Sequence, residues 1–318
     1  MEEQILVTGA NGFVGTALVA ALRARGTPVV AAVRQASAEG QLAVGELDGN
    51  TDWTGALQGC TAVIHLAARV HVMDDASTDP IAAYRTVNRD ASVRLAHQAH
   101  ACGVRRFVFV SSIKVNGEAT TSAPFRASDL PAPCDPYGQS KLEAEQALLA
   151  FGRESGMEIV IVRPPLVYGP GVKANFNSLL RLVKLGVPLP FGRVSNARSM
   201  VALDNLVDLL MLCTRHPAAP GQVFLVSDGR DLSIGQLVGM IAAAMHKHVS
   251  LLPVPAGLMR AAATLLGKGA VAERLFGSLQ VDIGATCDTL GWHPPISPEA
   301  AIGRTVAHFV AAHAKGTP

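Results

Sequence analysis

Aromatic residues are scarce in this chain of 318, at 5% with two tryptophans and three tyrosines, and charged residues reach only 16%. Its net charge of +2 leaves no excess of either sign, which argues against nucleic-acid binding by bulk charge. No Cys-x-x-Cys pair occurs among the five cysteines Cys60, Cys102, Cys134, Cys213 and Cys287, so they read as buried small residues in a reducing compartment. No uncharged apolar run reaches the ~18 residues of a membrane span, and Arg260 interrupts the most apolar late segment, 251–266. No signal-peptide pattern precedes the apolar stretch at Gln4, which predicts a cytoplasmic protein without membrane insertion. His246 and His248 lack a carboxylate or cysteine partner in sequence, so no metal site is expected.

What is present is a 49% apolar chain, long enough for one large or two modest cores. Gln4 to Thr8 is apolar without alternation, the pattern of a strand buried on both faces of a parallel sheet. It runs into Gly9-Ala10-Asn11-Gly12-Phe13-Val14-Gly15 and then an amphipathic helix to Arg25. Gly9 suits a tight turn, Gly12 a pyrophosphate close to the backbone, and Gly15 close helix–strand packing. The anion would sit on free N–H groups at the helix N-terminus. Further strands are expected at 28–33, 43–47, 62–68, 105–110, 157–163 and 222–226, with helices at 81–102, 136–155, 176–185, 232–246, 258–276 and 299–313. The fold expected is α/β: a Rossmann-type doubly wound parallel sheet with a smaller, discontinuous C-terminal substrate-binding domain. Residues 1–165, completed by segments within 195–230, would hold the dinucleotide, and 166–318 mainly the substrate.

A site for NAD usually ends its second strand with an acid on the ribose. Here Val33 and Arg34 stand there, which leans towards NADP(H) while leaving NAD(H) usable. Asp48 and the 66–68 segment (Leu66, Ala67, Ala68) are expected near the cofactor. His65, inside a strand, reads as a hydrogen-bonded core histidine. Asp204 reads as a helix cap.

Tyr137 and Lys141 are four residues apart on one helix, so phenol and ammonium can share a face. A close cation favours phenolate, and lowering a phenol by ~3 units corresponds to ~4 kcal/mol of differential interaction. Ser112 stands at the carboxyl end of the fifth strand, where ligands of open α/β sheets gather.

The Gly9/Gly12/Gly15 turn, Ser112, and Tyr137-x-x-x-Lys141 twenty-five residues later resemble the extended short-chain dehydrogenase/reductases, and within them the nucleotide-sugar epimerases, dehydratases and reductases. The resemblance implies Tyr137 as proton donor and acceptor, Lys141 as its partner and ribose ligand, and Ser112 on the reacting oxygen. It implies Asn88 as the helix asparagine ordering the active-site end. Asn175, Arg198 and Arg274 would meet the uridine diphosphate. The family's 4,6-dehydratases carry Asp-Glu after this serine, and its 3,5-epimerase–reductases a cysteine. Ile113 and Lys114 stand there instead, leaving 4-epimerases and 4-ketoreductases.

The stretches 111–117, 163–171 and 277–282 look most like the bacterial reductases of a UDP-4-keto-6-deoxy-N-acetylhexosamine, which make UDP-N-acetylquinovosamine for surface polysaccharide. The resemblance also implies a homodimer. A UDP-sugar 4-epimerase is the alternative. A non-catalytic NADP-binding sensor is a further one, which the tyrosine–lysine pair argues against. A reductase of steroid, flavonoid or acyl-thioester ketones would need no arginines for a diphosphate.

Overall fold

The structure, a computed structural model, describes residues 4–70, 79–265, 267, 269 and 275–314. Among the described residues nine strands follow one another: β1 (Gln4–Thr8), β2 (Val29–Val33), β3 (Gln41–Ala43), β4 (Cys60–His65), β5 (Arg106–Val110), β6 (Glu158–Arg163), β7 (Leu166–Tyr168), β8 (Met200–Ala202) and β9 (Val223–Leu225). Seven of them form one parallel sheet in the order β3-β2-β1-β4-β5-β6-β9. The other two, β7 and β8, pair with each other in parallel away from the main sheet. Central strands carry runs such as Arg106-Phe-Val-Phe-Val because helices cover both faces.

On one face α1 (Phe13–Ala24) and α7 (Leu203–Cys213) bury Leu18, Leu22, Leu206 and Leu210 against Val7, Ile64 and Val108. On the other, the short α2 (Thr54–Leu57) joins α4 (Ala91–Ala101) and α5 (Pro136–Ser155), burying Leu57, Leu95, Ala99, Ala144 and Leu148 against Leu6, Val63, Phe107 and Ile161. This is the doubly wound arrangement the apolar runs predict. A third cluster, C-terminal in the chain, gathers α6 (Ala174–Leu185), α8 (Ile234–Ala244) and the helix Pro298–Ala314 around Phe176, Leu180, Val238 and Val306.

Several boundaries move. The third strand is Gln41–Ala43 rather than 43–47; it is a three-residue edge strand, and Val44 and Gly45 still bond back to Val33 and Arg34 as the chain leaves it. The fourth strand ends at His65, so Leu66 to Ala68 leave the sheet. The helix expected at 81–102 is broken into α3 (Pro80–Arg85), a π-helical turn at Thr86–Asp90, and α4. Of the helix expected over 258–276, residues 266, 268 and 270–274 lie outside the described residues; α9 covers Ala256–Leu265. Only Cys60 and Cys213 are buried, whereas Cys102 and Cys134 are exposed, so the cysteines are not uniformly core residues. Asp204 lies in the first turn of α7 and pairs with Arg304 at 2.9 Å, so its carboxylate favours the helix dipole but is not the cap. No helix among the described residues is long and apolar enough to cross a membrane.

Candidate active site

A cleft of about 720 Å³ opens along the carboxyl ends of the parallel strands. The glycine turn forms one wall. Gly9 takes φ +64°, and a Cβ on it would lie 2.9 Å from the Ala67 nitrogen. A Cβ on Gly15 would lie 2.1 Å from the Gly9 carbonyl oxygen, so only glycine lets α1 pack this close to β1. Gly12 is the N-cap of α1, no side chain caps the helix, and its first turn holds no acid. Uncapped N–H groups beside a glycine backbone make a cradle for an anionic diphosphate. Two buried polar atoms in the cleft lining, Trp53 Nε1 and Ser111 Oγ, have no hydrogen-bond partner among the described residues, as expected of donors that meet a ligand. The residues present therefore fit a dinucleotide.

Gly9, Asn11, Gly12, Phe13, Val14, Gly15 and Arg34 all line the cleft, and so do Leu66, Ala67 and Ala68 after they leave β4. Arg34 sits at 3.7 Å from Glu46, both largely exposed at the rim. Asp48 does not line the cleft: it accepts from the Asn50 amide at 2.7 Å and holds its own turn. Glu46 and Leu47, just before it, occupy the wall instead. Their signal in sequence was weak, because they lie on a chain leaving an edge strand.

At the other end Ser112, Tyr137 and Lys141 line the same cleft. Ser112, two residues beyond β5, is extended and caps a short 3-10 turn, and its hydroxyl accepts from the Lys114 amide at 3.3 Å. Asp135 is the N-cap of α5, accepting from the Gly138 amide at 2.7 Å, and Pro136 occupies the first turn, where its missing N–H costs nothing. That fixes where the Tyr137 ring enters the cleft. The Ser112 side chain lies beside it in the cleft, and the tyrosine ring meets the edge of Tyr84 at 6.2 Å.

The expected lowering of the tyrosine by the lysine is reversed here. Burial pushes Tyr137 up to about 12; the Ser112 hydroxyl pulls it down, while the charges of Asp135 and Tyr84 add to the rise. Lys141 is pushed down to about 7 by burial, with Glu145 opposing. Its ammonium donates to the Val110 carbonyl at 3.0 Å and lies 4.4 Å from the Phe109 ring centre. Helical spacing places the two groups on one face but says nothing of desolvation, and in the protein alone desolvation dominates.

Asn88 is fully buried in the π-helical turn. Its amide nitrogen donates to the Arg69 carbonyl at 3.0 Å and to Ser140 Oγ at 2.9 Å, and its oxygen accepts from the Arg69 amide at 2.9 Å. Ser140 in turn donates to the Tyr137 carbonyl at 2.8 Å, so Asn88 braces the tyrosine's helix without lining the cleft. His65 is a core histidine as expected: Thr8 Oγ1 at 2.6 Å and Ser92 Oγ at 2.9 Å hold its two nitrogens. Burial, then the charge of Lys141, lowers it to about 3, so it stays neutral. The Arg163 guanidinium grips Glu145 at 2.6 Å and Asn116 at 2.9 Å beneath the site.

The three residues expected at the diphosphate do not join this group. Asn175 is exposed in the first turn of α6, and Arg198 donates to the Gly277 carbonyl at 3.0 Å; neither lines the cleft. Arg274 lies outside the described residues. Ile113 is buried, and Lys114 is paired with Glu118 and Asp135, so no acid–base pair for elimination follows Ser112.

A UDP-glucose 4-epimerase of Vibrio cholerae is 49% identical over 319 residues, spanning 98% of this chain and 97% of that protein. A 3-beta-hydroxysteroid dehydrogenase of Mycolicibacterium neoaurum is 25% identical over 341 residues, spanning 96% and 91%. The UDP-glucose 4-epimerase of Thermotoga maritima, solved with UDP-glucose, shares the fold at a TM-score of 0.76 and 24% identity over 98% and 99% of the two chains. Residues 5–227 match the NAD dependent epimerase/dehydratase family, and with the cradle and tyrosine–lysine cleft above, this chain belongs to that family of nicotinamide-dependent enzymes.

Proposed function

We propose that this enzyme moves a hydride and a proton at C4 of a UDP-linked sugar, and that its net reaction is 4-epimerisation. The observation that carries the chemistry is that Ser112, Tyr137 and Lys141 line the same cleft that begins at the glycine turn. The nicotinamide supplies the hydride when bound. Tyr137 gives or takes the proton of the C4 oxygen, Ser112 holds that oxygen, and Lys141 lends positive charge as the phenolate forms. Because the lysine is half-charged near pH 7 and the phenol is high in the protein alone, ligand charge must complete the lowering of the tyrosine. The 4-epimerase outcome is favoured by the relative from Vibrio cholerae, far more similar than the steroid dehydrogenase.

A second reading is net reduction of a UDP-4-keto-6-deoxy-N-acetylhexosamine to UDP-N-acetylquinovosamine, for surface polysaccharide. The absence of an acid at the end of β2 favours it, since Arg34 at the rim suits a 2′-phosphate and an exchanging NADP(H). Glu46 beside it offers an acceptor for an unmodified ribose, so NAD(H) is accommodated too.

For the diphosphate, Arg198 has a physical argument: it is half-buried, burial lowers its pKa, and among the described residues it faces a carbonyl and no carboxylate. Such a guanidinium is suited to an anion. Asn175 and Arg274 remain candidates from resemblance. Residues 1–165 with segments of 195–230 would hold the cofactor, 166–318 the sugar nucleotide, and two copies would pair through α4 and α5.

Incubation with UDP-glucose or UDP-GlcNAc and catalytic NAD⁺, followed by chromatography of the sugars, tests the first reading; formation of the C4 epimer without net cofactor change is expected. Stoichiometric NAD(P)H oxidation with the 4-keto-6-deoxy sugar, and no epimer, would replace it with the second.

A further inference from the structure

Lys114 follows Ser112 by two residues and Asp135 precedes Tyr137 by two, and the structure ties these segments together. The Lys114 amide donates to Ser112 Oγ at 3.3 Å, while its ammonium bonds Glu118 at 2.9 Å and the Asp135 carboxylate. Asp135 spends its other oxygen on the Gly138 amide as the cap of α5. One lysine thus touches the serine that holds the reacting oxygen and the carboxylate at the root of the tyrosine's helix.

That carboxylate poses a problem for proton transfer. A negative charge beside a phenol opposes phenolate, and Asp135 raises Tyr137 accordingly. It cannot simply be dispensed with, because its oxygen caps α5. We propose that Lys114 is a positioning residue that acts through its charge. It neutralises the capping carboxylate so that Tyr137 can ionise during turnover, and it fixes Ser112 and Tyr137 in register. The proposal rests on Tyr137 being the proton-transferring group.

The other groups facing Tyr137 do not substitute for it. Lys141 bonds the Val110 carbonyl, and Tyr84 from α3 presents another phenol. Arg69 has its guanidinium 5.4 Å over the Tyr84 ring. The nearby cations Arg85 and Arg89 are bound to Glu143. Lys114 itself is three-quarters buried; burial works against its charge, but the bonds to Asp135 and Glu118 outweigh this and raise its pKa. It is a cation throughout the working pH range.

The chain holds three tyrosines, so phenol-carbon labelling gives three NMR signals, and Tyr137→Phe identifies the one that matters. The titration is followed with NAD⁺ bound and without sugar, so it stands whichever substrate is correct. Lys114→Met should raise the Tyr137 midpoint by about one pH unit and lower kcat at neutral pH ~tenfold, the rate returning at higher pH. Lys114→Arg should leave the midpoint nearly unchanged. Adding Asp135→Asn, whose side chain still caps a helix, should bring the midpoint of Lys114→Met back to the parent value or below.

An unmoved midpoint in Lys114→Met, or one that Asp135→Asn fails to restore, overturns the proposal. Should Lys114→Met not fold, Asp135→Asn alone must lower the midpoint, and no change overturns it equally. A shifted midpoint in a protein inactive on every UDP-sugar would instead refute the function proposed above and leave the electrostatic pairing standing.

Discussion

Replacing Lys141 with methionine should make the ligand-free protein more stable near neutral pH while abolishing its chemistry. The side chain is fully buried, its only described hydrogen bond goes to the Val110 carbonyl, and burial lowers it from 10.5 to about 7. In the unfolded chain the lysine stays protonated to about pH 10. Between the two values the unfolded state therefore binds more protons, and stability rises with pH. Integrating from about pH 7 to about pH 8.5 gives a gain of about 1.5 kcal/mol from this one group.

His65, at about 3, is neutral in the folded state there and about a quarter protonated at pH 7 when unfolded, which adds only about 0.2 kcal/mol to this gain, and Tyr137 at about 12 acts only above the window. The thiols of Cys60 and Cys213, raised by burial to about 11 and about 12, lower stability from about pH 8 and offset up to about half of this gain by pH 8.5. Methionine has a similar length and no charge to desolvate, so the variant should lose that slope and exceed the parent at pH 7 by a few kcal/mol. Urea unfolding at both pH values, without cofactor, reads both quantities. A variant less stable than the parent, or one with an unchanged pH slope, would refute this view of the buried ammonium.

Gly15→Ala places a Cβ 2.1 Å from the Gly9 oxygen, so α1 must withdraw from the turn. A stability loss of about 1–3 kcal/mol and loss of NAD⁺ binding by calorimetry are expected; normal affinity would contradict the cradle. Asn88→Leu breaks three buried hydrogen bonds to Arg69 and Ser140 and should cost about 2–4 kcal/mol, with kcat falling more than cofactor affinity. Thermal unfolding and steady-state kinetics check it. Arg34→Ser should weaken NADPH by about tenfold and leave NADH within twofold, measured by quenching of protein fluorescence; equal effects on both would remove the phosphate role.

The central sheet was legible because parallel strands buried on both faces need continuous apolar runs, and β1, β5 and β6 have them. β3 was misplaced because an edge strand of three residues leaves almost no pattern. The glycine turn and Tyr137–Lys141 could be read locally: both are spacings along a single element. Their electrostatics could not. Burial of Lys141 depends on Phe109 and Val110, some thirty residues away in sequence, and desolvation of the tyrosine itself outweighs the lowering expected of the pair. The Lys114–Asp135 bridge, Glu46 beside Arg34, and the reach of Asn88 to Ser140 likewise join distant segments. Arg198 and Asn175 matched a pattern, yet neither lines the cleft around Tyr137.

The proton that Tyr137 exchanges with a sugar oxygen is the step on which the proposed chemistry turns. Tyr137→Phe removes that oxygen and little else, since the ring's contact with Tyr84 is kept. Single-turnover hydride transfer, followed by nicotinamide absorbance with a UDP-sugar bound, should fall by at least ~10²-fold with NAD⁺ and UDP affinities within a factor of about three. Hydride transfer at the parental rate in this variant would contradict it.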